Sequence, residues 1–189
     1  MMQVGQSKVI AVFGSSRREE NSALYQEAYE LGRLLARERY SVLCGGYGGS
    51  MAAVSHGACD AGGHVVGVTC AQFDPLAPNR WLDREIKAPT LIARLETMMA
   101  MADGFIAVQG GIGTLAEVTL AWSLLQTRSL TDKALVLLGS SWPPILDTLC
   151  SHSDLGASIA SIAQLVRTPQ EAVDALVAPP TPFGPPPLG

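Results

Sequence analysis

The sequence predicts an α/β fold: a doubly wound parallel sheet with helices on both faces. Three observations predict it. Short apolar runs of strand length alternate with segments of helical periodicity through the whole chain. Most of those runs are continuously apolar, as parallel strands covered on both faces require. Glycine-rich segments follow several of them, as tight strand-to-helix turns do.

The strand runs are Val9–Phe13, Ser41–Cys44, His64–Thr69, Gly104–Val108 and Ala134–Leu138. Between them lie helical patterns. Leu24, Ala28, Leu31 and Leu35 fall on one face of the first, with Asn21 or Ser22 as its cap. Met51, Val54 and Ala58 line the second, and Leu91, Leu95, Met98 and Ala102 the third. Leu115, Val118, Ala121, Trp122 and Leu125 line the fourth. Pro143 and Pro144 open a fifth, and a short helix is expected from Pro169 to Val177. Residues 71–89 hold three prolines and Trp81, and read as a long connection bordering the ligand. The chain is expected to form one domain over 1–178, followed by a Pro-rich, mobile tail at 179–189.

Composition narrows the function classes. With 48% hydrophobic and 16% charged residues, 189 residues are enough to bury a core. A net charge of −4 gives no electrostatic reason to expect nucleic-acid binding. Neither a signal peptide nor an apolar run of bilayer length is visible, so no membrane association and a cytoplasmic location are expected. Cys44, Cys59, Cys70 and Cys150 form no C-x-x-C pair and no zinc spacing; they are expected to be reduced and mostly buried, and no metal is expected.

Chemistry points to the carboxyl ends of the strands, where ligands sit in open α/β sheets. Gly14-Ser15-Ser16 follows the first strand, Gly45-Gly46-Tyr47-Gly48-Gly49 the second, and Gly110-Gly111-Ile112-Gly113-Thr114 the fourth. Glycine lets backbone N–H groups approach an anion, and the helix behind the last turn adds free donors and a favourable dipole end. These turns give the fold its Rossmann-like character, yet none is the dinucleotide fingerprint or a Walker loop. Glu117 stands three residues past Thr114. It reads either as half of a capping box with Thr114 or as a carboxylate beside the glycine loop, placed for acid–base work or sugar hydroxyls. Arg94 interrupts the apolar stripe of the third helix, so it either snorkels to solvent, meets a protein carboxylate in a structural ion pair, or holds a ligand phosphate or sugar oxygen.

At these residues the chain resembles the LOG family, cytokinin-activating phosphoribohydrolases once labelled lysine decarboxylases. The family motif P-G-G-x-G-T-x-x-E matches Gln109 to Glu117, and R-K-x-x-M on the preceding helix matches Arg94 to Met98. Val12 to Ser16, Gly45 to Met51 and Ala102 to Val108 match as well, so the resemblance spans roughly residues 8–150. The chain departs from the motif at Gln109, Leu95 and Ala116, where the family has proline, lysine and commonly glutamate. Of its lysines, Lys8, Lys87 and Lys133, none stands at a glycine turn suited to a pyridoxal phosphate.

The resemblance implies hydrolysis of the N-glycosidic bond of a nucleoside 5′-monophosphate, N6-modified AMP among the candidates, to free base and ribose 5-phosphate. Glu117 and Arg94 would be catalytic. Gly110, Gly111, Ile112, Gly113, Thr114, Gly14, Ser15, Ser16, Gly45, Gly46 and Met98 would bind the nucleotide and its phosphate. No cofactor is implied, and a homodimer is. The departures keep an alternative in play: a nucleotide-binding sensor or carrier of the same fold without turnover.

Overall fold

The computed structural model describes residues 7–17, 20, 22–154 and 161–177. The expected tail therefore lies outside the described residues. Seven parallel strands form one sheet: β1 (Val9–Phe13), β2 (Ser41–Cys44), β3 (Val65–Cys70), β4 (Arg84–Ala88), β5 (Gly104–Ala107), β6 (Leu135–Leu138) and β7 (Ala163–Val166). Their order across the sheet is β4-β3-β2-β1-β5-β6-β7, which reverses direction between β1 and β5. That reversal is where loops from both halves part and leave a crevice.

Among the described residues, six helices cover the faces: α1 (Ala23–Arg37), α2 (Ser50–Asp60), α3 (Leu91–Met101), α4 (Ile112–Gln126), α5 (Trp142–His152) and α6 (Pro169–Asp174). Leu31, Leu35, Met51, Val54, Ala172 and Val173 pack α1, α2 and α6 against Ile10, Val12, Val42 and Val136 on one face. Met98, Val118, Trp122, Trp142 and Leu146 pack α3, α4 and α5 against Phe13, Leu43, Phe105 and Leu137 on the other. The two-faced burial explains why the central strands carry no polar alternation. Of the two cap candidates for α1, Ser22 serves: its side chain accepts from the Tyr25 N–H at 3.2 Å.

Two strands and several faces differ from the sequence reading. β4 lies inside the segment expected to be a connection, so only 71–83 is irregular apart from a single 3-10 turn at Ala71–Phe73. β4 pairs on one side only, and its alternation of charged and apolar residues, Arg84-Glu85-Ile86-Lys87-Ala88, is that of an edge strand, which apolar-run criteria miss. β7, at the opposite edge, is missed because its four residues, Ala163-Gln164-Leu165-Val166, are too short and too mixed to stand out as an apolar run. On α3 the buried residues are Arg94, Met98 and Met99, whereas Leu91 is 40% exposed. Only Cys44 and Cys70 are buried; Cys59 is exposed and Cys150 half-buried, and all are free thiols.

Candidate active site

Register brings the glycine turns to one edge. Val12 pairs with Cys44 and Phe13 with Ala107, so Gly14, Gly45 and Val108 emerge side by side. The turns touch: the Ser50 N–H donates to the Ser15 carbonyl at 2.8 Å, and the Val108 N–H to Phe13 at 2.9 Å.

Of the two readings of Glu117, the capping box does not form. The N-cap of α4 is Gly111, with no side-chain cap bond, and Thr114 already lies within the first turn. A side chain at Gly110 would overlap the Thr114 hydroxyl, so that turn closes only with glycine. Open space stands over Gly111 and Gly113, and Ile112 is 84% exposed. No acidic residue occupies the first turn of α4. The result is a helix start whose donors and dipole face the crevice, suited to an anion.

Glu117 turns inward instead. Its carboxylate Oε1 meets Arg94 Nη1 at 3.2 Å, and both residues are only 6% exposed. Arg94 Nε also donates to the Val68 carbonyl near the end of β3 at 2.7 Å. Gly45 closes the third side, because a Cβ there would overlap the Arg94 guanidinium. Of the two anions open to Arg94 on sequence, the protein carboxylate is therefore present, on α4 below its uncapped first turn. Burial pushes Glu117 up to about 7, against the opposing pull of Arg94. A carboxyl so poised exchanges its proton near neutral pH, as a general acid or base must.

The remaining candidates divide. Ser15 is half-buried and Ser16 exposed at the mouth of the first turn. Gly46 is buried against Thr69 and Gly67, so it shapes the floor of the site. Met98, on the same helix as Arg94, has no exposed surface and packs into the core between α3 and the sheet, so it presents nothing to a ligand. Sequence reading missed Asn79, which binds the second glycine turn from the 71–83 segment. Its only sequence signal is a polar residue in a proline-rich connection.

Residues 7–149 match the model of the SLOG cluster4 family. A "Probable cytokinin riboside 5′-monophosphate phosphoribohydrolase" of Oryza sativa subsp. japonica is 32% identical over 178 residues, covering 89% of this chain and 70% of the relative. The cytokinin riboside 5′-monophosphate phosphoribohydrolase of Rhodococcoides fascians is 32% identical over 139 residues, 71% of this chain and 69% of its own length. Among solved structures, the molybdenum cofactor carrier protein of Chlamydomonas reinhardtii superposes with a TM-score of 0.71 at 28% identity, over 90% of this chain and 96% of the carrier.

Proposed function

The chain belongs to the SLOG cluster4 family, and on that premise we propose that it is a phosphoribohydrolase: it cleaves the N-glycosidic bond of a nucleoside 5′-monophosphate to free base and ribose 5-phosphate. One observation carries the reading. A buried carboxylate, set by its surroundings to titrate near pH 7, lies one helical turn below an uncapped, glycine-built helix start.

The backbone donors of Gly110 to Thr114 hold the 5′-phosphate, and the Thr114 hydroxyl lies beside them. As the base departs, positive charge develops on the ribose ring. Ionised Glu117 stabilises that charge, orients ribose hydroxyls and accepts a proton from the attacking water. Arg94 keeps Glu117 from being neutral throughout the working range, and fixes its carboxylate against the sheet. Ser15 and Ser16 reach the nucleotide from the first turn.

The enzyme works in the cytoplasm as a homodimer in this reading. Leu91 (40% exposed), Ile92 (64%) and Ile112 (84%) stand at the starts of α3 and α4, apolar surface beside the site that a second copy would cover. Among the described residues, no helix is long and apolar enough to cross a membrane.

A second reading has a specific observation in its favour. The carrier protein of Chlamydomonas reinhardtii shares this fold at 28% identity, and Gln109, Leu95 and Ala116 depart from the phosphoribohydrolase motif. A carrier would bind a phosphorylated ligand at α4 without turnover. Incubation of the purified protein with a panel of nucleoside 5′-monophosphates, N6-modified AMP included, with chromatographic assay of free base, decides between them. Base release supports the hydrolase; tight binding with no base released supports the carrier.

A further inference from the structure

The segment joining β3 to β4 is more than a connection. At its centre Asn79 makes four contacts with defined geometry. Its backbone N–H donates to the Gly46 carbonyl at 2.8 Å. Its Nδ2 donates to the Tyr47 carbonyl at 3.1 Å and to the Ser55 hydroxyl at 3.4 Å. Its Oδ1 accepts the Trp81 N–H at 3.1 Å. One side chain therefore ties the β3–β4 segment to the turn after β2 and to α2 together.

That turn is the wall against which Arg94 rests. Gly45 abuts the guanidinium so closely that no Cβ fits. The next residues, Gly46 and Tyr47, are the ones Asn79 holds. Tyr47 is fastened in turn to the end of β3: its hydroxyl accepts from the Cys70 N–H at 2.8 Å and donates to the Cys70 carbonyl at 3.2 Å. Two residues earlier on β3, Val68 receives Arg94 Nε. The outer end of the segment is anchored separately. Trp81 stacks on His56 of α2 with ring centroids 4.5 Å apart and planes at 15°, and Arg80 covers Trp81 at 4.7 Å.

We propose that Asn79 is a positioning residue: by tying the Tyr47 carbonyl to Ser55 and the β3–β4 segment, its side chain holds the Gly45 backbone against Arg94, and so keeps the guanidinium on Glu117. The inference rests on the hydrolase reading only for its activity readout. Without the Asn79 side chain the Tyr47 carbonyl is released from α2 and the β3–β4 segment, with only the Tyr47 hydroxyl still holding the turn to Cys70, and Gly45 gains freedom to withdraw from Arg94. Glu117 then holds its proton more tightly, because Arg94 is the group that favours its ionised form. The groups facing Glu117 among the described residues are Arg94 from α3 and, more distantly, the Cys44 thiol at the end of β2, which burial pushes up and keeps protonated. Neither duplicates the effect of a displaced guanidinium.

The test compares Asn79→Ala and Asn79→Asp with His56→Gln in the full chain. Asn79→Asp retains the acceptor for Trp81 and loses both Nδ2 donations. His56→Gln removes the Trp81 stack and leaves the Asn79 contacts in place. Thermal melts score stability, and the carboxyl carbon of Glu117, followed by NMR through a pH titration, scores Arg94's hold on it whether or not the protein turns over substrate. Both Asn79 variants should move the Glu117 midpoint upward by about half a pH unit or more, a change on the order of 0.7 kcal/mol. In the hydrolysis assay at pH 6 kcat should fall about threefold or more, a loss that fades above pH 8, with KM for the monophosphate changed less, because the start of α4 is untouched. His56→Gln should lower the melting temperature without moving the Glu117 midpoint. An unmoved midpoint in both Asn79 variants, or an equal shift in His56→Gln, overturns the inference. A wild-type protein that releases no base, with the midpoint shift intact, overturns the hydrolase reading alone.

Discussion

Arg94→Ala tests the electrostatic account of the site most directly, because its cost should depend on pH in a defined way. At pH 5.5 the Glu117 carboxyl, titrating at about 7, is largely protonated in the wild type. The variant then loses chiefly the charged hydrogen bond from Arg94 Nε to the Val68 carbonyl, about 1.5–3 kcal/mol. Glu117 has a folded-state value above its ordinary 4.5, so the stability of its protonated form is complete below that value and is lost as pH rises. In the wild type the loss stops near pH 7, where the carboxyl ionises against Arg94. In the variant the buried carboxyl has no counter-charge and stays protonated to higher pH, so its stability keeps falling by about 1.4 kcal/mol per pH unit. By pH 8.5 the gap should have widened by about 2 kcal/mol, to the 3–5 kcal/mol typical of a broken buried pair. Urea denaturation of both proteins at pH 5.5, 7.0 and 8.5 measures it. A gap that stays constant, or is largest at pH 5.5, would refute the assignment of Arg94 as the group that draws Glu117 into ionisation.

Further outcomes follow from the same geometry. Glu117→Gln should reduce turnover by about a hundredfold or more while leaving nucleotide binding within a few-fold, checked by base release beside calorimetry; undiminished hydrolysis would remove Glu117 from the chemistry. AMP should bind at least tenfold tighter than adenosine, about 1.4 kcal/mol, since the helix start grips only the phosphate; equal affinities would dismiss the cradle at Gly110–Thr114. Glu27, half-buried on α1 beside Gly139, has its carboxyl raised by burial and, among the described residues, no hydrogen bond or ion pair to offset it. Its ionisation therefore weakens the fold as pH rises, and Glu27→Gln should raise the melting temperature at pH 7.5 and lose that gain at pH 4. A gain at pH 4 alone would reverse the sign of the argument.

The sequence by itself determined the central sheet and the edge at which chemistry occurs. β1, β2, β3, β5 and β6 are buried on both faces, and that condition is written locally as continuous apolar runs. The three glycine turns are legible for a similar reason: a tight turn or a close backbone approach excludes a Cβ, whatever lies nearby in space. The edge strands were not legible, because β4 and β7 answer to one neighbour and to solvent: the charged residues of β4 resemble those of a loop, and β7 is only four residues with a glutamine among them. Only the tertiary structure decided what Arg94 meets. Its place in an apolar stripe demanded an anion, but a ligand phosphate and a carboxylate 23 residues away satisfy that demand equally in one dimension. Packing of α3 and α4 on the same face of the sheet chose Glu117, and so turned a residue spaced as a helix cap into a buried carboxyl. Asn79 was invisible for the same reason. Its importance lies in the backbone carbonyls it reaches across space, and a carbonyl carries no mark of its partner in the sequence.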